Sequence, residues 1–178
     1  MKFLATNLPG VVIVEPEVHR DNRGYFFESY HQKKFKDAGL PLDFVQDNIS
    51  KSVQNTLRGL HAQIRQPQGK LIGVIEGEVF DVAVDIRKNS PTFGKWTSAL
   101  LSADNFKRMY VPPGFAHGFC VVSRTAVVEY KCTDFYDPAD EVTILWNDPG
   151  LAISWPVKNP ILSGKDARGE KLSDLIEL

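Results

Sequence analysis

Apolar and polar residues alternate most clearly over Val79 to Ile86, where Val79, Asp81, Ala83 and Asp85 fall on one side and Phe80, Val82, Val84 and Ile86 on the other. A period of two is the signature of a strand, because successive side chains point to opposite faces of a sheet. Other short runs rich in Val, Ile, Phe, Trp and Tyr lie between Gly, Pro, Asn and Asp: Leu71 to Ile75, Trp96 to Leu101, Arg108 to Val111, Gly118 to Val122, Ala126 to Lys131 and Ile153 to Trp155. Each reads as a strand. Helical spacing is confined to Tyr30 to Ala38, stopped by Gly39 and Pro41, with a second short helix expected over Ser173 to Glu177. The pattern predicts an all-β chain with a few short helices. No repeat, linker or low-complexity tract divides it, so residues 1–178 are expected to form one domain, and a jelly roll suits the strand count while leaving a mouth for a small molecule.

Charge narrows the function. Twenty-one basic and 22 acidic residues give a net charge of -1 without a basic run, which argues against polymeric nucleic acid as a partner. The longest early apolar run, Val11 to Val14, is broken by Pro9-Gly10 and Glu15, so neither a signal-peptide core nor a membrane span is expected. Cys120 and Cys132 sit in apolar stretches and read as buried reduced thiols of a cytoplasmic protein.

Three stretches carry candidate chemistry. In RGLHAQ, Arg58 to Gln63, a histidine able to act near neutral pH stands three residues from an arginine, and Lys70 follows in QGKLIGV. A histidine between Leu60 and Ala62 is also an ordinary hydrogen-bonded core residue, but Arg58, His61 and Lys70 together favour an anionic ligand. In PPGFAHGF a Pro-Gly turn precedes His117 with the P-x-G-x-x-H spacing found in cupins. Metal-binding cupins supply a partner H-x-H and a glutamate; here the stretch reads His61-Ala62-Gln63 with a lysine downstream, which argues against a resident metal. In VVEYKCTDFY alternation puts Val128, Tyr130 and Cys132 on one face, opposite Glu129 and Lys131; if that face lines the roll, Tyr130 presents a phenol to it, and otherwise it fills the core. DNRGYFFE, QDNIS and SGKDARG read most simply as polar turns.

Taken in order, DNRGYFFE, QDNIS, RGLHAQ, the QGKLIGV lysine, PPGFAHGF, YKCTDFY and the late Lys-Asp pair resemble the dTDP-4-dehydrorhamnose 3,5-epimerases from about Asp21 to Gly169. The resemblance implies a cupin-type jelly roll without cofactor or metal, acting on a dTDP-4-keto-6-deoxy sugar. It implies His61 as base, Tyr130 as acid, Lys70 as enolate stabiliser and Asp166 as the carboxylate orienting His61. It further implies that Arg23, Glu28, Gln46, Asp47, Asn48, Arg58, His117, Glu141 and Lys165 contact sugar and diphosphate and that Tyr136 stacks on thymine. A homodimer follows by the same resemblance, with Val11 to Glu15 expected to add an edge strand to the partner. Rivals are an epimerase acting at one carbon or an isomerase of a related dTDP-4-keto sugar, a silent sugar-nucleotide-binding cupin and a metal-dependent cupin.

Overall fold

The computed structural model describes residues 1–40 and 43–177, so Pro41, expected to stop the first helix, lies outside the described residues. Thirteen strands are present among them: β1 (Lys2–Ala5), β2 (Val12–Glu15), β3 (Val18–Asp21), β4 (Gly24–Phe27), β5 (Gln46–Val53), β6 (Leu57–Gln63), β7 (Lys70–Glu76), β8 (Glu78–Asp85), β9 (Trp96–Ser102), β10 (Arg108–Val111), β11 (Phe115–Val121), β12 (Thr125–Cys132) and β13 (Glu141–Thr143). The single α-helix among the described residues, α1, spans Gln32–Asp37, inside the expected segment, and Asp174–Glu177 forms a 3-10 turn.

The strands build a jelly roll. One sheet has the order β1-β2-β10-β7-β12-β5, the other β13-β6-β11-β8-β9, and β3 and β4 form a separate hairpin. Ile72, Val79, Ala83, Leu101, Met109, Phe115, Phe119, Val121, Ala126 and Val128 meet between the sheets. The alternation in β8 resolves accordingly: Val79 and Ala83 enter this core, while Val82, Val84 and Phe80 face outward into a second core with Leu60, Ile144, Leu151 and Leu172. On the other side α1 covers the six-stranded sheet, seating Phe35 against Val14, Leu71 and Tyr110. Covering both outer faces explains why several strands read as near-continuous apolar runs.

Three expectations need correction. Ile153 to Trp155 is not a strand but irregular chain, apolar because Ile153 and Trp155 pack on the outer face of the five-stranded sheet. QDNIS is no turn; it opens strand β5, paired residue by residue with β12. DNRG does turn, between β3 and β4. Val11 to Glu15 offers no free edge, since β2 is hydrogen-bonded to β1 on one side and β10 on the other.

The β6–β11 pairing positions the chemistry. His117 pairs with His61 and Phe119 with Arg58, so two residues of β6, Gly59 and Leu60, oppose Gly118 alone. Strict alternation would send Arg58 and His61 to opposite faces; the extra residue restores both to the interior. Only glycines permit the approach. Gly59 has φ +111°, and a Cβ there would meet the Gly118 Cα and the His117 carbonyl at 2.6 Å, while one on Gly118 would meet the Arg58 carbonyl at 2.7 Å. Gly59→Ala is expected to destabilise the fold by about 1–3 kcal/mol through overpacking and an unfavourable φ, visible as a lower urea midpoint with an unchanged m-value.

Candidate active site

The apolar core fills only part of the space between the sheets. Towards one mouth the inward positions become polar, and a cavity of about 370 Å³ opens, lined by residues of both sheets and of the 163–166 turn. From the five-stranded sheet come Arg58, His61 and Gln63 of β6, His117 and Phe119 of β11 and Glu141 of β13; the opposing sheet supplies Gln46, Asn48 and Ser50 of β5, Lys70 of β7 and Tyr130 and Cys132 of β12. His61 and Tyr130 therefore stand on opposite walls.

His61 is held from behind. Its Nε2 lies 2.6 Å from Oδ1 of Asp166, which also accepts the Gly59 N–H (3.4 Å), while Oδ2 accepts the Ser163 hydroxyl (2.7 Å). Burial pushes the Asp166 carboxyl up, but the hydrogen bonds from His61 and Ser163 outweigh it and leave the group below its ordinary value. An ionised Asp166 fixes the proton on Nε2, so the free base is Nδ1, which faces Glu141 Oε1 at 3.7 Å. Glu141 Oε2 in turn accepts the Tyr136 hydroxyl (2.9 Å) and ion-pairs with Lys165.

Across the cavity, Lys70 and Cys132 are register partners on β7 and β12. The Lys70 ammonium has no hydrogen bond or ion pair among the described residues, and burial pulls its pKa below the ordinary lysine value, opposed by the charges of Cys132, Glu141 and Asp81. Burial raises the Tyr130 phenol above its ordinary value, reinforced by Cys132 and moderated by Arg58, so the phenol is a protonated donor at neutral pH. Arg58 donates from Nε to Ser52 Oγ (3.0 Å) and keeps its terminal nitrogens for the cavity. Asn48 donates to Cys132 Sγ (3.6 Å).

Of the residues singled out in the sequence, the structure gathers His61, Lys70, Tyr130, Asp166, Gln46, Asn48, Arg58, His117, Tyr136, Glu141 and Lys165 around one cavity. Three stay outside it. Asp47 points to the other face of β5 from Gln46 and Asn48 and pairs with Lys131 (2.9 Å), as the period of two requires. Arg23 is bound to Asp21 in the β3–β4 turn, and Glu28 to Lys34 of α1. Conversely, Ser50, Gln63, Gln68, Phe119 and Ser163 line the cavity without having been singled out for it. Gln63, at the position of the missing second ligand histidine, is a brace: its amide donates to the carbonyls of Gln66 and Phe135 and accepts from the Asp137 N–H.

A family model for dTDP-4-dehydrorhamnose 3,5-epimerase matches residues 5–174. A dTDP-4-dehydrorhamnose 3,5-epimerase of Pseudomonas aeruginosa is 53% identical over 176 residues, covering 98% of this chain and 97% of that protein. Among solved structures, a dTDP-6-deoxy-D-glucose-3,5-epimerase of Legionella pneumophila in complex with dTDP-4-keto-L-rhamnose superimposes with a TM-score of 0.94 at 48% identity, over 97% of this chain and 93% of that one. A 3'-monoepimerase of Streptomyces bikiniensis in complex with dTDP-quinovose superimposes with a TM-score of 0.92 at 31% identity, over 98% and 89% of the two chains.

Proposed function

Because the chain belongs to the dTDP-4-dehydrorhamnose 3,5-epimerase family, we propose that it epimerises C3 and C5 of dTDP-4-dehydro-6-deoxy-D-glucose, giving dTDP-4-dehydro-L-rhamnose. The observation that carries this reading is the placement of a carboxylate-oriented imidazole, His61, and a protonated phenol, Tyr130, on opposite walls of one cavity. Inversion needs a proton taken from one face of a carbon and another delivered to the opposite face; a single base could only exchange it.

His61 Nδ1 removes the proton next to the C4 ketone. Asp166 holds the ring and balances the imidazolium that forms. The electrons move onto O4, where the unpaired ammonium of Lys70 meets the developing charge, and Tyr130 returns a proton to carbon from the other side. The ketone belongs to the substrate, so the residues have only to move protons and stabilise an enolate. Arg58 and Lys165 match the diphosphate, Gln46 and Asn48 hold polar substituents, and Tyr136, half-exposed at the rim, offers a flat surface to thymine.

The protein is proposed to act as a homodimer of one-domain subunits in the cytoplasm; both cysteines are free, and among the described residues no helix is long and apolar enough to cross a membrane. Arg23 and Glu28 lie outside the cavity of their own chain, so a contact to substrate would come from a second copy. A solution mass equal to one 20.0 kDa chain at micromolar concentration would remove that role.

The test is incubation with the keto sugar in deuterated water, in the presence of EDTA, followed by proton NMR. Deuterium at C3 and C5 in inverted product supports the reading; exchange at one carbon makes this a single-site epimerase like the Streptomyces neighbour, and no exchange refutes it. In Tyr130→Phe, deuterium is expected to enter at the abstracted positions while inversion falls by about 10²-fold, the lower range for a lost general acid.

A further inference from the structure

The irregular connector 133–140, between β12 and β13, carries Tyr136, which is 48% exposed. Exposed connectors are ordinarily the mobile part of a fold. This one is pinned from beneath. Gln68 donates to the Asp134 carbonyl (2.8 Å) and Gln63 to the Phe135 carbonyl (3.2 Å). Gln46 accepts the Tyr136 N–H (3.0 Å), and the Gln63 oxygen accepts the Asp137 N–H (2.9 Å). Backbone groups of four successive residues are thus met by three side-chain amides, which come from β5, β6 and the 64–69 turn. Beyond them Asp140 accepts the N–H groups of Arg65 (2.9 Å) and Gln66 (2.8 Å), tying the end of the connector to the same turn.

Gln63 is the centre of this arrangement. It is 5% exposed and holds the backbone on both sides of Tyr136. Its amide nitrogen also donates to the Gln66 carbonyl (2.8 Å), so both amide hydrogens are taken and neither is left for a substrate. The three bonds fit a carboxamide. A carboxylate could not donate to the two carbonyls, and a histidine, with two ring nitrogens, could not meet three groups at once.

Gln63 lies two residues from His61 on β6, about 6–7 Å along the strand, so the base and the clamp are set out on one element. At the far end of the Tyr136 ring the hydroxyl is fixed by Glu141 (2.9 Å), the register partner of Gln63 on β13. We infer that Gln63, supported by Gln68, is a positioning residue for nucleotide binding. It acts through Tyr136, holding the ring as a preformed shelf on which the base stacks without the connector first having to order. A shelf referred to the strand of His61 also places the sugar relative to that base. That Tyr136 receives thymine rests on the proposed function; the order of the unliganded connector does not.

Amide hydrogen exchange of the unliganded protein, read by NMR, is expected to show the Tyr136 and Asp137 N–H groups at least about tenfold slower than in an unstructured chain. That protection should disappear in Gln63→Met, which keeps the length of the side chain and none of its three bonds. Calorimetric binding of dTDP should weaken about tenfold in Gln63→Met, the cost of ordering roughly one residue of backbone on binding. In a Tyr136→Ala background the same substitution should change Kd less than about twofold, because the ring that the clamp serves is gone. Turnover of the keto sugar should show the loss in KM, with kcat within about threefold. Gln68→Met, which removes one bond, is expected to weaken dTDP about two- to threefold. Rapid exchange of both amides in the wild-type protein overturns the inference even if Gln63→Met does not fold, as do additive effects of the Gln63 and Tyr136 substitutions on Kd. Protected amides in a protein that takes up no deuterium at C3 or C5 would refute the epimerase reading and leave the clamp standing.

Discussion

His61→Ala is expected to lower kcat by about 10²–10⁴-fold, the range for removal of a general base, and to abolish deuterium uptake at both C3 and C5 within the assay time. Loss at both carbons together is the informative part. If separate bases served the two positions, one exchange would survive, so retention of either signal in the variant would refute a shared base. The fold should tolerate the change: the His61 side chain is partly exposed to the cavity, and Asp166 keeps its hydrogen bonds from Ser163 and Gly59. A melting temperature close to that of the wild type would separate lost chemistry from lost structure.

Lys70→Met is expected to move activity and stability in opposite directions. Removing one oxyanion donor costs about 2.7–4 kcal/mol of transition-state stabilisation, a factor of 10²–10³ in kcat. The same substitution should raise stability by about 1 kcal/mol, because it replaces an unpaired buried ammonium with an apolar chain of similar length. The pH dependence follows from burial, which holds the folded pKa of Lys70 below the ordinary 10.5. Below the folded value both folded and unfolded chains carry the proton, and the penalty is constant. As pH rises through it, the folded chain releases the proton first, so wild-type stability climbs towards that of Lys70→Met until the unfolded value is reached. Activity should run the other way, falling along an alkaline limb at that depressed value as the enolate loses its cation. Lys70→Arg should displace the limb to higher pH. Urea unfolding and kcat/KM measured over the same pH series test both trends; a variant less stable than the wild type at neutral pH would contradict the account.

Legibility in the sequence followed the apolar face of each strand. Where a strand packs into a core on at least one side, as in β7, β8, β10 and β12, its pattern located it within a residue or two. Strand β5 was hidden because its inward face is polar: Gln46, Asn48 and Ser50 line the cavity and Ser52 is buried against Arg58, so the burial signal is polar on the side that matters. Its turn-like composition is the composition of a binding wall. Ile153 to Trp155 failed for the opposite reason: apolar residues can cover a sheet without joining it. The site residues emerged from motif resemblance more than from period, because the bulge at Gly59 breaks the parity that would relate Arg58 to His61. Asp47 shows the converse, since plain alternation between Gln46 and Asn48 already excluded it from the cavity. Asp81 carried its own signal, a carboxylate on the face shared with Val79 and Ala83, which only a buried partner could satisfy.

The distance along the chain between His61 and Asp166, 105 residues, acquires a different meaning during synthesis. At about 5–20 residues per second, the base leaves the ribosome roughly 5–20 seconds before the carboxylate that orients it. Every strand of both sheets precedes Asp166, so the sandwich can close around a pocket whose imidazole still turns freely. Catalytic competence is then a late event of biogenesis, gained when the 163–166 turn docks. A nascent chain arrested after β13 would hold every strand of both sheets but lack Leu151, Trp155 and Leu172, which cover the outer face of the five-stranded sheet, as well as Asp166, and would not turn its ligand over.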